Sequence, residues 1–247
     1  YKNRIMINFA VVVPLANEAD TFDEFTSRLM NVLDFIGYGT IYFVVDNVSK
    51  DNTLERCYSL SDQDKRFNTI WAPQNENVVD AYLKGYEIAL NNNHEIIIEM
   101  DAGLSHDPNA LPMFVRVLCE GNDCAFGSRF INGGSIFDSN YKRHFLSKIG
   151  TFLSNILLGT KMYDMTSGYQ GFHAKIVKQI LDYGLLSKGH FYQTEIRYLL
   201  RESKFSEVPI HYRAPSPSIS KKSIYNSIHT LLFYFFMRLT CRSRIIN

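Results

Sequence analysis

Apolar positions along the chain fall into two alternating rhythms. Short continuous runs at Ile7–Val13, Ile41–Val45, Thr69–Trp71, Ile96–Ile98 and Cys124–Phe126 read as strands buried on both faces. Between them apolar residues recur three and four apart, most clearly at Phe22, Phe25, Leu29, Val32, Leu33 and Ile36. Pro14 is expected to stop the first strand and Thr21 to cap the helix that follows. Further helices are predicted from about Thr53, from about Asn77 to Leu90, and over Asn109–Leu118, the last with Asp107 as N-cap and Pro108 at its first position. Strand, loop and helix repeat through the first half of the chain. The pattern predicts an α/β fold, a doubly wound and mostly parallel sheet flanked by helices.

Beyond Phe130 the rhythm loosens. A helix carries Phe145, Leu146, Ile149, Phe152, Leu153, Ile156 and Leu157 on one face, ordinarily a core stripe. Lys142, Arg143 and His144 at its amino end give a second reading, an anion site or a membrane-surface contact. Asp164–Tyr169 is a polar turn entering a short strand, Glu195 lies in a helix over about Phe191–Arg201, and Val208–Tyr212 reads as the last strand. Ile224–Leu239 is apolar and aromatic between Lys221, Lys222, Arg238, Arg242 and Arg244. It suits a helix at a membrane interface, or a core or homo-oligomer helix, and is too short and polar to span a bilayer. The expected division is residues 1–222 as one domain, its halves 1–126 and 127–222, with 223–247 as an amphipathic C-terminal helix.

Composition narrows the function classes. The 247 residues suffice for a full core, with 46% hydrophobic and 21% charged side chains. Lys plus Arg number 26 against 25 Asp plus Glu, a balance that gives no support to nucleic-acid binding. Cys57, Cys119, Cys124 and Cys241 lack CxxC or metal-type spacing and read as reduced cytosolic thiols. The apolar Phe9–Val13 run is too short for a signal peptide's core.

Candidate chemistry gathers where strands end. Asp101 follows the Ile96–Ile98 run at the carboxyl edge of the sheet, where ligands of open α/β sheets bind. Alone it caps a turn; with a divalent cation it holds a diphosphate. The Asp46–Thr53 loop offers carboxylate, amide and hydroxyl groups for a base and ribose, or equally a turn with Asx caps. Arg129, at another strand end, suits phosphate, or is an ordinary surface arginine. No GxGxxG follows the first strand, and Gly184–Gly189 is followed by His190 rather than the Lys of a phosphate loop. Neither HExxH nor GxSxG occurs.

Taken in order, these stretches resemble family 2 glycosyltransferases of the GT-A fold, especially the dolichyl- and polyprenyl-phosphate mannosyl- and glucosyltransferases. The matching residues are Pro14–Glu18 (PLANE), the Asp46–Thr53 loop, Ala81 with Gly85, and Asp101 with His106-Asp107-Pro108. They continue through Gly127–Phe130 with Gly133-Gly134, Arg143 with Ser147, Asp164–Tyr169, Glu195, Glu207–Pro209 and Arg213 with Ser220-Lys221. The resemblance implies that Pro14, Ala16, Glu18, Asp46 and Asn47 hold base and ribose, and that Arg213 and Lys221 close on the diphosphate. It further implies Mg2+ or Mn2+ on Asp101 and Ser105, acceptor phosphate on Arg129, Arg143 and Ser147, and donor sugar against Asp164. Asp101, Arg129 and Asp164 are then the catalytic residues.

The sequence departs from that pattern at three positions. Gly103 stands where a second metal-binding Asp is usual, which weakens the expected cation site; Asn47 replaces an acidic residue of the base-binding loop, and Asn77 a glycine. Three functions follow. The first is an inverting transfer of a mannose- or glucose-like hexose from a GDP- or UDP-sugar to a polyprenyl phosphate, on the cytoplasmic face of a membrane. The second is transfer to a sugar hydroxyl, which needs a base such as Asp164 or Glu195. The third is a nucleotide-sugar-binding protein without catalysis.

Overall fold

The apolar runs become the strands of one twisted sheet. The structure, a computed structural model, describes residues 7–137, 141–213 and 221–240, with the side chains of 141–143 and 221–223 outside that description. The strands are β1 (Phe9–Leu15), β2 (Thr40–Val45), β3 (Phe67–Trp71), β4 (Ile96–Glu99), β5 (Cys124–Ser128), β6 (Ser135–Phe137), β7 (Gln170–His173), β8 (Phe205–Pro209) and β9 (His211–Arg213). Among the described residues seven of them pair in the order β3-β2-β1-β4-β7-β5-β8, and β6 pairs with β9 in a separate ribbon. Only β7 runs antiparallel to its neighbours in the large sheet.

Helices cover both faces. They are α1 (Phe22–Ile36), α2 (Thr53–Gln63), α3 (Val78–Asn91), α4 (Leu111–Cys119), α5 (Tyr141–Leu158), α6 (Ala174–Tyr183), α7 (Tyr192–Leu199) and α8 (Lys221–Leu239). Alternate residues of β1 feed two cores. Ala10 and Val12 pack on the side of Tyr82, Tyr86 and Ile176; Phe9, Val11 and Val13 pack on the side of Phe25, Leu29 and Phe114. Burial on both faces is why the sequence shows continuous rather than alternating apolar runs.

Pro14 does not end β1. The strand continues to Leu15, with Pro14 opposite Val44. Val12 turns its backbone polar groups toward β4, where its carbonyl accepts from the Met100 N–H at 3.1 Å. Pro14 has the same parity, but β4 has already ended at Glu99, so the missing N–H removes no ladder bond. The expected strand over Val208–Tyr212 is divided instead. Ile210 is the crossing point between β8, which extends the large sheet beside β5, and β9, which joins β6.

Two helices depart from the expected pattern. Asn77, standing where the pattern has a glycine, is extended (φ −159°) and caps α3, its side chain accepting from the Val79 and Asp80 N–H groups. On α5 the apolar stripe faces outward, with Phe145 65%, Phe152 62% and Ile156 56% exposed, while Thr151 and Ser154 are buried. The inward face serves a loop with no ladder of its own. Thr151 Oγ1 accepts from the Met165 N–H at 3.1 Å, and Asn155 binds both the Met162 carbonyl (2.8 Å) and its N–H (3.2 Å).

α3 packs tightly on β1 at Gly85, where a built Cβ would lie 2.1 Å from Val12 Cγ1. Gly85→Ala is therefore expected to destabilise the fold by about 1–3 kcal/mol through overpacking. In urea titrations, Val12→Ala in the same chain should recover part of that loss; additive losses would show that the contact is not the cause.

Candidate active site

Six strands of the large sheet run the same way, so Leu15, Val45, Trp71, Glu99, Ser128 and Pro209 all end at one edge. β7, running the other way, begins there, which brings the Asp164–Tyr169 loop to the same place. Among the described residues, Pro14, Ala16, Glu18, Asp46, Asn47, Asp101, Ser105, Arg129 and Asp164 lie in loops or strand ends at this edge, whereas Ala81 and Gly85 lie in α3, Ser147 in α5 and Glu195 in α7.

The first two loops are latched together. Asn17, at φ 57°, donates its backbone N–H to Ser49 Oγ (3.2 Å) and its Nδ2 to the Val48 carbonyl (3.1 Å), while its Oδ1 accepts from the Lys50 N–H (2.8 Å). Asp51 accepts from Ala19, Thr53 and Ser49, which holds its carboxyl below the ordinary range against the effect of burial. Asp46 Oδ1 accepts from the Val48 N–H at 2.9 Å, and Asn47 Nδ2 donates to the Pro73 carbonyl at 2.7 Å. These two residues thus shape the loop with the very groups expected to meet a base. Pro14 and Ala16 are half-buried beside them.

Asp101 stands over the centre of the edge, 37% exposed at its side chain. Tyr82 Oη, from α3, donates to its Oδ1 at 2.7 Å, and the Tyr82 ring stacks on Tyr192 of α7. The Asp101 N–H donates to His106 Nδ1 at 3.0 Å, which leaves the imidazole proton on Nε2. That Nε2 lies 3.6 Å from Asp101 Oδ2, is buried and has no hydrogen-bond partner. Burial holds the His106 pKa down, so the ring is neutral. Gly103 and Leu104 turn the chain at φ 67° and 62°. The Ser105 carbonyl accepts from the Arg213 N–H at 2.9 Å, so exposed Arg213 is tethered to the same loop.

Two acidic groups border Asp101. Glu18 Oε2 accepts from Thr21 Oγ1 at 2.8 Å and would lie 2.6 Å from a Cβ built at Gly103. Its pKa is raised by burial and by the charges of Asp51 and Asp101, against the Thr21 bond. Glu99 is fully buried behind the site, accepting from Tyr86 Oη, Gln170 Nε2 and Tyr192 Oη. Burial, with a smaller push from Asp101, raises its pKa to about 8.

On the other half of the edge, Arg129 and Asp164 form a buried fork. Arg129 Nε donates to Asp164 Oδ2 at 2.7 Å and Nη2 to Oδ1 at 2.8 Å, and Nη2 also reaches Thr166 Oγ1 at 2.6 Å. Asp164 has no exposed surface, and Arg129 is 7% exposed. Burial alone would raise the Asp164 pKa, but Arg129 brings it below the ordinary carboxylate range. Glu207 of β8 accepts from the Tyr163 and Asp164 N–H groups, holding the loop from beneath. Ser147 is half-buried on α5; the side chains of Arg143 and Lys221 lie outside the described residues.

Glu195, singled out from the sequence, lies away from this edge chemistry. It is buried in α7 and accepts from the Leu186 and Ser187 N–H groups (2.8 Å each) and from Tyr234 Oη of α8 (2.6 Å). Tyr82 and Arg197 carry no signal in the motifs, and Asn17 is named there only as part of the Pro14–Glu18 stretch. Fully buried Arg197 donates to the Ser167 and Gly127 carbonyls, tying two edge loops together, and burial lowers its pKa to about 10. The spacing of Tyr82 and Tyr86, four apart on one face of α3, was the available signal.

A divalent cation would have few protein donors here. Among the described residues no three His, Cys, Asp or Glu side chains gather closely enough to hold one alone. Asp101, the Ser105 hydroxyl and the oxygens of a bound diphosphate are the donors that could hold one. The unpartnered His106 Nε2–H faces Asp101 as a supporting group does behind a ligating carboxylate.

A mostly parallel sheet whose carboxyl edge carries Asp101, the latched loops after β1 and β2 and tethered Arg213 defines an α/β protein of GT-A fold. Glycosyl transferase family 2 matches residues 10–181, and the chain belongs to that family; it is a glycosyltransferase. It is 29% identical over 217 residues to the polyprenol monophosphomannose synthase of Mycolicibacterium smegmatis, covering 86% of this chain and 80% of that protein. It is 28% identical over 203 residues to the dolichol-phosphate mannosyltransferase of Pyrococcus furiosus, covering 82% of this chain and 56% of that longer protein. Glucosyl-3-phosphoglycerate synthase from Mycobacterium tuberculosis, crystallised with UDP, has the same fold (TM-score 0.70, 14% identity, 94% of this chain and 81% of that one). The same enzyme was also crystallised with Mn2+, UDP and phosphoglyceric acid (TM-score 0.68, 15% identity, 93% and 79%).

Asp164→Asn strands a buried guanidinium and is expected to cost about 3–5 kcal/mol in chemical denaturation. The loss should be full above about pH 4 and shrink in more acid solution, because the folded Asp164 titrates below its unfolded value. Glu99 has the opposite sign. The folded state holds its proton up to about pH 8, so stability falls as pH rises from about 4.3, the unfolded value, through that range. Glu99→Gln should flatten this slope in urea titrations between those limits; an unchanged slope would show Glu99 ionised throughout.

Proposed function

We propose that this glycosyltransferase moves a hexose from a nucleoside-diphosphate sugar to a polyprenyl phosphate, with inversion, at the cytoplasmic face of a membrane. The observation that carries this reading is the state of the two carboxylates that a hydroxyl acceptor would need as base. Asp164 is closed in its fork with Arg129, and Glu195 is buried under Tyr234. A phosphate acceptor needs neither, because it is already anionic at neutral pH. The names of the relatives point the same way.

In this reading the donor's base and ribose lie along Pro14, Ala16, Asp46 and Asn47, and its diphosphate meets Arg213 and Lys221. A Mg2+ or Mn2+ ion at Asp101 and Ser105 would neutralise the leaving diphosphate. Arg129, Arg143 and Ser147 position the acceptor phosphate, and Asp164 serves by fixing the Arg129 fork rather than by touching the sugar. A phosphate oxygen attacks the anomeric carbon opposite the diphosphate. The carbon–oxygen bond breaks, the nucleoside diphosphate leaves with the electron pair, and no proton has to move.

Exposed apolar side chains on α5 and α8 support a lipid acceptor. On α5 Phe145, Leu146, Phe152 and Ile156 are exposed, and on α8 Tyr225, Ile228, Phe236 and Leu239 are exposed. Arg238 of α8 donates to the Ile156 and Leu157 carbonyls at 3.0 and 3.1 Å, which caps α5 and joins the two helices. No helix among the described residues is long and apolar enough to cross a membrane. The pair therefore supports lying on a bilayer surface.

Purified protein should transfer labelled hexose from GDP-mannose or UDP-glucose to polyprenyl phosphate in detergent and leave free sugars and glycosides unmodified. Glycosylation of a sugar hydroxyl without lipid-phosphate transfer would overturn the reading.

A further inference from the structure

Position 103 cannot hold a carboxylate while Glu18 stays where it is. Gly103 sits at φ 67°, and a Cβ there would meet Glu18 Oε2 at 2.6 Å and Oε1 at 2.9 Å. The space that a second acidic side chain would enter from the Asp101 loop is already filled by a carboxylate from the loop after β1. We propose that Glu18 takes the part of the absent second acid, so that Asp101 and Glu18 together hold the divalent cation that accompanies the donor diphosphate. The proposal rests on the reading of this edge as the donor site and assigns Glu18 to the cation rather than to base or ribose.

Three further features agree with it. Thr21 occupies the N-cap position of α1 yet makes no side-chain cap bond; its hydroxyl donates to Glu18 Oε2 instead. The hydroxyl orients a carboxylate rather than the first turn of the helix. The Glu18 backbone is fixed as well, its N–H donating to Thr53 Oγ1 at 2.9 Å. On the opposite side, the buried Nε2–H of His106 faces Asp101 at 3.6 Å without a hydrogen-bond partner. Tyr82 already satisfies Oδ1. A cation drawn between the two carboxylates would relieve their mutual repulsion, and a small shift of Asp101 would complete the His106 bond. Mg2+ and Mn2+ favour such oxygen donors, with phosphate and water filling the remaining positions.

The test is Mn2+ binding, read as loss of the free-ion electron paramagnetic resonance signal, with UDP and with GDP. Metal-free nucleotide binding is measured alongside by equilibrium dialysis. Glu18→Gln, which keeps an acceptor for Thr21, should weaken Mn2+ binding in the presence of nucleotide at least ~10-fold and leave metal-free nucleotide binding unchanged. Gly103→Asp alone should bring no gain, whereas Gly103→Asp with Glu18→Ala should restore Mn2+ affinity to within a few-fold of the wild type. Circular dichroism melts identify any variant that fails to fold, and Glu18→Gln then carries the decision.

Wild-type Mn2+ affinity in Glu18→Gln overturns the proposal. So does tighter Mn2+ binding by Gly103→Asp with Glu18 in place, or an equal loss of metal-free nucleotide binding, which would return Glu18 to the ribose. Should the wild type bind neither nucleotide with Mn2+, the donor-site reading falls together with this one. Binding by the wild type that Glu18→Gln leaves unaltered removes this inference alone.

Discussion

β1 hydrogen-bonds to β2 on one side and β4 on the other while both of its faces are covered by helices. A strand enclosed in this way has no free polar surface along its length, so its chemistry is confined to its ends. Because these strands are parallel, their ends coincide, and the loops after β1, β2 and β4 must crowd against one another. The crowding is managed by side chains with short reach. Asn17, Asp51 and Thr53 consume backbone donors and acceptors that would otherwise be left without partners in the tight turns. Asp101 emerges from this packed rim already oriented by Tyr82 and His106.

The second half of the chain is held together by charge as much as by apolar contact. β7 inserts antiparallel between β4 and β5, and the loop that precedes it carries Asp164 into the interior. An ionised carboxylate there is tolerable only with a partner of matching shape, which Arg129 supplies through two edge-on bonds. Arg197 performs a related service for backbone, gathering the Gly127 and Ser167 carbonyls over the Phe126 ring. These buried guanidiniums fix where β5 ends and where β7 begins.

The sequence exposed the first half of this architecture well, since Val11–Val13 and Ile96–Ile98 admit few readings other than enclosed strands. It was weaker wherever direction matters more than residue type. The apolar stripe of α5 was visible, but its spacing does not say which face turns inward; the buried Met162–Met165 backbone claimed the polar face through Thr151 and Asn155. α7 offered no stripe at all, because every residue of Tyr192–Leu199 is buried. At the site, Asp101, Glu18 and Arg129 could be picked out by type and position. That Arg129 is spoken for by a carboxylate 35 residues away, and that Glu18 bends toward Gly103, are facts of side-chain path.

The Arg238 clasp between α8 and the end of α5 has a bearing on how the protein behaves in a test tube. By joining two outward-facing apolar helices it turns scattered hydrophobic side chains into one contiguous oily plate. In plain buffer such a plate has no good neighbour except another copy of itself. Such a surface favours self-association, and a mild detergent that covers it would oppose that.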